Sequence, residues 1–124
     1  MSEDDAKRLS RYAANRDIVY ATTQIFAALS DATRFQILSA LGVEERSVSE
    51  LQEICNVTQS AISHQLRLLR DRGVVAARRD GQRMMYSIAD SHVLTLLRVG
   101  LEHAAEEYLP DEKISRRSHT HSSL

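Results

Sequence analysis

The sequence has few aromatic residues, and few of the cysteines and prolines that crosslink a chain or interrupt its helices. It contains no Trp, two Phe, four Tyr, one Cys and one Pro among 124 residues. A single cysteine, Cys55, excludes an internal disulfide, and no apolar run has the length of a membrane span. The first seventeen residues are polar and lack the apolar core of a secretory signal peptide. We therefore expect a single cytoplasmic domain with an aliphatic core.

Net charge is also small, at −1, but the charged residues are unevenly distributed. Between residues 58 and 84 only Asp71 and Asp80 are acidic, whereas the basic residues there are Arg67, Arg70, Arg72, Arg78, Arg79 and Arg83. Arginine carries a planar fork of donors that suits phosphate oxygens and guanine. The distribution of charge therefore indicates nucleic acid as a partner, although the net charge does not.

Apolar periodicity and turn residues predict the first half of the chain. Residues 1–15 are expected to form a frayed, flexible arm, and a helix should follow over 16–29. Asp31 can cap a second helix over 32–41, and Gly42 suits its C-terminal stop. We expect the main domain to span 16–108.

A helix-turn-helix is predicted next. Ser47 and Glu50 have the spacing of a capping box, which indicates a short third helix that ends near Cys55. Thr58 can cap a fourth helix over about 59–72 after a two-residue turn. Two short helices joined by a tight turn, the second polar at its start, are typical of this motif.

The residues that follow predict a β-hairpin. Apolar side chains alternate with polar ones in two runs, which contain Val75, Ala77, Met84, Tyr86 and Ile88. Asp80-Gly81 lies between the runs and is a strong signal for a hairpin turn. The hairpin would form a two-stranded wing that carries Arg78, Arg79 and Arg83 around its tip.

In a helix-turn-helix the second helix enters the major groove with its N-terminal residues. Gln59 can pair with adenine through two hydrogen bonds, whereas Arg67 lies one turn further and suits phosphate. Wing arginines suit phosphates or the minor groove. The predicted DNA contacts are Thr58, Gln59, Ser60, Ser63, His64, Arg67, Arg78, Arg79 and Arg83. The alternative is a solvated polar face on a small helical bundle.

The stretch from Asp90 to Tyr108 predicts an amphipathic helix of about five turns. Its potential metal ligands are Asp90, His92, His103 and Glu106. His92 and His103 are eleven residues apart, so they point the same way but lie about 16 Å apart along the axis. Because zinc ligands must approach the ion to about 2.1 Å, one helix cannot place both histidines on one ion.

Two antiparallel copies of this helix remove the conflict. Asp90 and His92 of one chain would meet His103 and Glu106 of the other, and a two-fold axis would create two such sites. Two imidazoles and two carboxylates suit tetrahedral Zn(II), and Co(II) also fits. Alternatively, Asp90 is only a helix cap and the other three side chains are solvated.

Five stretches carry a resemblance to a known family: LSDATRFQIL, SVSELQE, TQSAISHQLRLLRDRGVV, the wing RRDGQRMMYSI and the terminal DSH…H helix. Together they resemble the ArsR/SmtB metal-sensing repressors over about residues 17–108. The resemblance implies a mainly α-helical winged helix-turn-helix with a β-hairpin wing, which forms a homodimer through its first and last helices. It also implies a non-enzyme that binds operator DNA when metal-free and is released by metal.

The resemblance also indicates a branch of the family. Sensors of arsenic, lead or cadmium carry cysteines at the start of the third helix, where this chain has residues 46–49 without a thiol. The zinc and cobalt branch carries Asp-x-His and then His-x-x-His or His-x-x-Glu on the last helix, which corresponds to Asp90, His92, His103 and Glu106. In that branch a relay is implied, with the second nitrogen of His103 donating to the backbone near His64.

Several alternatives remain open. A nickel-responsive repressor would recruit His119 and His121 from the tail, residues 109–124, which we expect to be flexible. A winged-helix regulator that senses no metal and a zinc carrier are further alternatives. A metallohydrolase is disfavoured because four protein ligands leave no open position for substrate. Cys55 is expected to be a buried residue of the third helix.

Overall fold

The computed structural model describes residues 1–109 and contains six α-helices and three short β-strands within them. In chain order they are α1 (Glu3–Ala13), α2 (Arg16–Leu29), α3 (Ala32–Val43), β1 (Arg46–Ser47), α4 (Val48–Cys55), α5 (Gln59–Asp71), β2 (Val75–Asp80), β3 (Arg83–Ile88) and α6 (Ser91–Tyr108). The backbone forms two compact units, Met1–Ala89 and a second that begins at Asp90. None of the helices in the described range is long and apolar enough to cross a membrane.

The N-terminal residues form a helix, so the expectation of a frayed arm over residues 1–15 is wrong. Ser2 caps α1 by accepting a 3.0 Å hydrogen bond from the backbone N–H of Asp5. Acidic residues occupy the first turn and Arg11 the last, which suits the helix dipole. No residue of α1 is buried and the helix is strongly polar, which is why its residues resemble a solvated arm in the sequence.

The helix α3 builds one side of the core, and α2 adds the buried side chain of Ala28. α2 has the predicted bounds, whereas α3 continues through Gly42 to Val43, so Gly42 is not the stop that the sequence suggests. Asp31 caps α3 as predicted, through a 3.0 Å hydrogen bond from the Arg34 backbone N–H. The buried residues of α3 are Ile37, Leu38, Ala40 and Leu41.

The helix-turn-helix is present as predicted. The side chain of Ser47 accepts the Glu50 N–H at 3.3 Å, and Glu50 Oε1 accepts the Ser47 N–H at 2.8 Å, which completes the capping box. Asn56 adopts the left-handed conformation, with φ 55° and ψ 49°, and reverses the chain after α4. The two helices bury Leu51, Cys55, Ile62, Leu66 and Leu69 in the core.

The wing is larger than the predicted hairpin because β1 joins it. The three strands form an antiparallel sheet in the order β1-β3-β2, in which Ser47 pairs with Met85. Asp80 pairs with Arg83 across the two-residue turn, and Gly81 adopts a φ of +65° there, which side chains rarely tolerate. A two-residue strand shows no alternation, so β1 left no pattern in the sequence.

The strand register sorts the wing side chains onto two faces, because successive residues of a strand point to opposite sides. The Tyr86 face carries Val75, Ala77, Arg79, Met84, Tyr86 and Ile88. The Met85 face carries Ala76, Arg78, Asp80, Arg83, Met85 and Ser87. The apolar alternation in the sequence marks the Tyr86 face, yet the buried side chain of β3 is Met85 on the opposite face.

Candidate nucleic-acid interface and metal ligands

The recognition helix α5 presents the polar residues predicted to read DNA. Gln59, Ser60, His64 and Arg67 are exposed and Ser63 is half-buried. Within residues 1–109 none of these five side chains forms a hydrogen bond. Thr58 differs, because its Oγ1 accepts the Ala61 backbone N–H at 3.1 Å and caps the helix. The exposed polar groups of α5 are therefore free to meet base edges and phosphates.

A polar cleft lies between α5 and the wing. It has a volume of about 330 Å³ and is lined by Ser63, Arg67, Arg70, Asp71 and Tyr86. Ser63 and Arg67 belong to the predicted interface, whereas Arg70 and Tyr86 do not. The sequence places Arg70 only in the central arginine group, and Tyr86 only among the alternating apolar residues of the hairpin. The cleft therefore adds two groups that sequence patterns did not assign to the interface.

The three wing arginines have different surroundings. Arg78 donates two hydrogen bonds to Glu45, Nε to Oε2 and Nη2 to Oε1, each 2.7 Å long. These bonds hold the pKa of Glu45 below its ordinary value and raise the pKa of Arg78. Arg79 and Arg83 are exposed, and neither forms an ion pair in the described part of the chain. One of the predicted phosphate contacts is thus already occupied by a carboxylate.

Cys55 is buried at the end of α4, with 7% of its surface exposed. Burial raises the pKa of its thiol, because the apolar surroundings disfavour the thiolate. A protonated, buried thiol is a poor nucleophile and metal ligand. Its position agrees with the predicted structural role.

The first two predicted metal ligands lie together at the start of α6. Asp90 is the N-cap, and its Oδ1 accepts the Val93 backbone N–H at 3.1 Å. The Nδ1 atom of His92 lies 3.9 Å from the same oxygen, and the His92 side chain is 96% exposed. One carboxylate oxygen and one imidazole are therefore presented to solvent side by side.

The other two predicted ligands lie on the C-terminal half of the same helix, where His103 is exposed and Glu106 half-buried. Among residues 1–109, no three His, Cys, Asp or Glu side chains are grouped closely enough to hold a metal ion. The predicted ligands of one chain thus lie at two separate points of α6. His119 and His121 lie outside the described residues.

Two helices expose large apolar side chains. On α2 they are Ile18, Val19, Tyr20 and Phe26, and on α6 they are Leu94, Leu96, Val99, Leu101 and Tyr108. Val93 and Leu97 are the buried residues of α6. Apolar side chains clustered on one helix are typical of a surface that another protein covers.

Sequence comparison places the helix-turn-helix in a known family. Residues 31–77 match the family described as bacterial regulatory protein, arsR family. The chain is 42% identical over 83 residues to a transcriptional repressor SmtB homolog of Synechocystis sp., over 67% of this chain and 63% of the relative. It is 32% identical over 105 residues to a cadmium resistance transcriptional regulatory protein CadC homolog of Staphylococcus aureus, over 84% of this chain and 86% of the relative. The chain thus spans less than two thirds of the SmtB homolog.

Structural comparison supports the same assignment. The chain is similar to the homodimeric winged helix-turn-helix DNA-binding domain of Mb0332 from Mycobacterium bovis, a possible ArsR-family transcriptional regulator. The TM-score is 0.64 and the identity 27%, over 98% of this chain and 97% of that one. The relatives are transcriptional regulators, in agreement with the expectation of a non-enzyme. The chain belongs to the arsR family of bacterial regulatory proteins and has the winged helix-turn-helix fold.

Proposed function

We propose that the protein is a metal-responsive transcriptional repressor that binds operator DNA as a homodimer in the cytoplasm. One observation carries the proposal: a recognition helix with free polar side chains occurs in the same chain as a terminal helix that carries two separated pairs of predicted metal ligands. The cadmium resistance named for the Staphylococcus aureus relative supports a response to metal.

Base recognition is assigned to the N-terminal half of α5. The amide of Gln59 can pair with adenine, and Ser60, Ser63 and His64 can reach neighbouring base edges or phosphates. Arg67 lies one turn further and suits the backbone. In a dimer the two recognition helices would meet successive major-groove faces about 34 Å apart.

A second copy of the chain is the proposed partner of the exposed apolar side chains on α2 and α6. Phe26 is 52% exposed and Leu101 48% exposed, and a two-fold interface would bury the same patch of each copy. The homodimeric state of the Mb0332 domain supports this assignment.

The ligand set of α6 fits Zn(II). Two imidazoles and two carboxylates supply the nitrogen and oxygen donors of a four-coordinate zinc site, and Co(II) suits the same set. Asp90 uses Oδ1 as the helix cap, and its Oδ2 accepts no hydrogen bond within the described residues. Asp90 and His92 of one chain and His103 and Glu106 of its partner would hold each ion.

Bound zinc would link the terminal helices of the two chains and so favour a dimer geometry that fits the operator poorly. By reciprocity, DNA must weaken zinc binding by the same factor. The second nitrogen of His103, which is not needed for the metal, is proposed to donate to the backbone near His64. Such a contact would connect the ligand to the recognition helix.

Fluorescence anisotropy tests the proposal. A duplex is first selected from a random library by the metal-free protein and then titrated with Zn(II), Co(II) or Ni(II). We expect zinc to release the wild-type protein from the duplex. A typical coupling free energy of about 1–3 kcal/mol would lower the affinity for DNA roughly 5–150-fold. His103→Gln should bind the duplex equally well and stay bound when zinc is added.

His119→Gln is the matched control, because it removes an imidazole that the proposed zinc site does not use. Normal zinc-driven release of the His103→Gln protein would refute the site. Release by nickel that His119→Gln abolishes would favour the nickel alternative instead. Binding of DNA that no metal changes would indicate a regulator without a metal sensor, and zinc binding without DNA binding would indicate a carrier.

A further inference from the structure

We propose that the cleft between α5 and the wing binds a backbone phosphate of DNA, and that Arg79 continues this site along the wing while Arg78 does not take part. The inference rests on the proposed function, because it specifies how the same DNA is held. It distinguishes between wing arginines that the sequence treats as equivalent.

The chemistry of the cleft suits a phosphodiester. Arg67 and Arg70 supply guanidinium groups, and Ser63 and Tyr86 supply hydroxyl groups to the same cavity of about 330 Å³. Within residues 1–109 none of these four side chains donates a hydrogen bond to another group. Charged donors and hydroxyls are the groups that proteins use on phosphate oxygens. Asp71 is the acidic lining residue, and the two guanidinium groups leave the lining positive.

The strand register extends the cleft towards Arg79. Tyr86 pairs with Ala77 across the hairpin, and Arg79 is two residues further along β2. Residues two apart on a strand share a face, so Arg79 and Tyr86 lie on the same side of the wing. A phosphate backbone that follows the cleft from α5 past Tyr86 would therefore meet Arg79 next.

Arg78 lies on the Met85 face and is engaged by Glu45. The two 2.7 Å hydrogen bonds use two of its five N–H donors. The carboxylate also neutralises the guanidinium charge, so an approaching phosphate would meet a neutral pair with an acidic side. Such a pair would neutralise no phosphate and would therefore release no counterions from the DNA.

The test is the salt dependence of duplex binding by the full-length protein. The logarithm of the affinity falls linearly with the logarithm of salt concentration, with a slope of about −0.9 for each phosphate that is neutralised. Arg78→Gln and Arg79→Gln form a matched pair, because each removes one positive charge from adjacent positions of one strand. We expect Arg79→Gln and Arg70→Gln each to make the slope shallower by about 0.9. Arg78→Gln should leave the slope unchanged.

A second pair of variants tests the masking by Glu45. Glu45→Gln should free Arg78 and steepen the slope by about 0.9. Glu44→Gln makes the same change of charge one residue earlier, but Glu44 pairs with Arg46, whose Nε is held at 3.3 Å by the Ala40 carbonyl. We therefore expect Glu44→Gln to leave the slope as in the wild-type protein.

Tyr86→Phe tests the cleft without changing charge. Loss of the hydroxyl should weaken binding severalfold at every salt concentration, as loss of one hydrogen bond of about 0.5–1.5 kcal/mol implies, and leave the slope unaltered. Circular dichroism and thermal melting of each variant confirm that it is folded.

Three results would overturn the inference. They are a slope that Arg78→Gln reduces as much as Arg79→Gln does, a slope that Arg70→Gln leaves unchanged, and an affinity that Tyr86→Phe leaves unchanged. Failure of the folded wild-type protein to bind any duplex is a different result, because it would remove the proposed function together with the inference.

Discussion

At the scale of single residues, Asn56 holds the turn between α4 and α5. It is the only residue other than glycine with a positive φ among those described, at 55°. This conformation costs most L-residues about 1–2 kcal/mol, but Asn tolerates it. We expect Asn56→Ala to lower the free energy of unfolding by about 1 kcal/mol and Asn56→Gly to preserve it. Urea denaturation measures both, and an equal loss in the two variants would show that backbone strain is not the cause.

Glu50 should contribute to the pH dependence of stability. Hydrogen bonds with the backbone and side chain of Ser47 hold the pKa of Glu50 below its ordinary value. Because the folded state lowers this pKa, the stabilisation is present above the unfolded pKa and is lost as pH falls through the folded one. We expect Glu50→Gln to lose less unfolding free energy on acidification than the wild-type protein.

The control for this prediction is Glu53→Gln. Glu53 lies on the same helix and is exposed, and its carboxylate accepts no hydrogen bond in the described residues. Urea midpoints measured across the acid range should follow the wild-type curve for Glu53→Gln and a flatter curve for Glu50→Gln. Identical curves for the two variants would contradict the assignment.

Local interactions explain which residue roles were predictable. The side chains of Ser47, Thr58 and Asp90 each cap a helix by accepting the backbone N–H three residues ahead. Because the contact is local, the sequence alone predicts it. The pair of Arg78 and Glu45 joins residues 33 positions apart. Only the folded chain brings these two residues together. The sequence shows no sign of the pair, so it predicts that Arg78 binds phosphate like the other wing arginines.

At the scale of elements, Arg34 links α3 to the C-terminal end of α2. Arg34 donates to the carbonyls of Ala28 at 3.1 Å and Ala27 at 3.3 Å, near the C-terminus of α2. A hydrogen bond that involves a charged group contributes about 1.5–3 kcal/mol. We expect Arg34→Met to lower the free energy of unfolding by about that amount, as measured by urea denaturation.

Two further variants check the geometry of this link. Arg34→Lys keeps the charge but not the planar fork, so most of the loss should remain. Arg16→Met removes an exposed arginine at the start of α2 and should change stability by less than about 0.5 kcal/mol. Equal losses from Arg16→Met and Arg34→Met would contradict a specific role for Arg34.

The two missed elements have different causes. α1 is strongly polar and buries no residue, which favours the expectation of an arm, and β1 has two residues, which is too short to show an alternation. The helix α5, which buries Ile62, Leu66 and Leu69, and the helix α2, which buries Ala28, were both predicted to within one residue. α3 passes through Gly42 because glycine tolerates a helical interior, although at a cost relative to alanine.

At the scale of the whole molecule, the exposed apolar residues of α6 lead to a prediction about assembly. Leu101 is 48% exposed, and a charge placed there would be buried in the proposed dimer without a partner. We expect Leu101→Glu to shift the protein towards the monomer in sedimentation equilibrium. Thr95→Glu adds the same charge at an exposed polar position of the same helix and should leave the dimer intact. A fully dimeric Leu101→Glu protein would exclude this side chain from the interface.

The four proposed ligand residues are assigned from sequence because their spacing on one helix is fixed by helical geometry. The same geometry predicts that each half-set is completed by the other half-set of a second chain, because the two halves lie about 16 Å apart on one helix, and this pairing stays a prediction. The central claim is therefore that two chains share each metal ion.

A mixed dimer tests this claim most directly. One chain carries Asp90→Asn and His92→Gln, and the other carries His103→Gln and Glu106→Gln. In an antiparallel arrangement the mixed dimer has one site with all four ligands and one site with none, whereas each parent homodimer has two half-sites. Calorimetric titration of differently tagged, co-purified chains should detect one zinc ion per mixed dimer with wild-type affinity and only weak binding to either parent. A mixed dimer that binds zinc no more tightly than its parents would contradict the shared site.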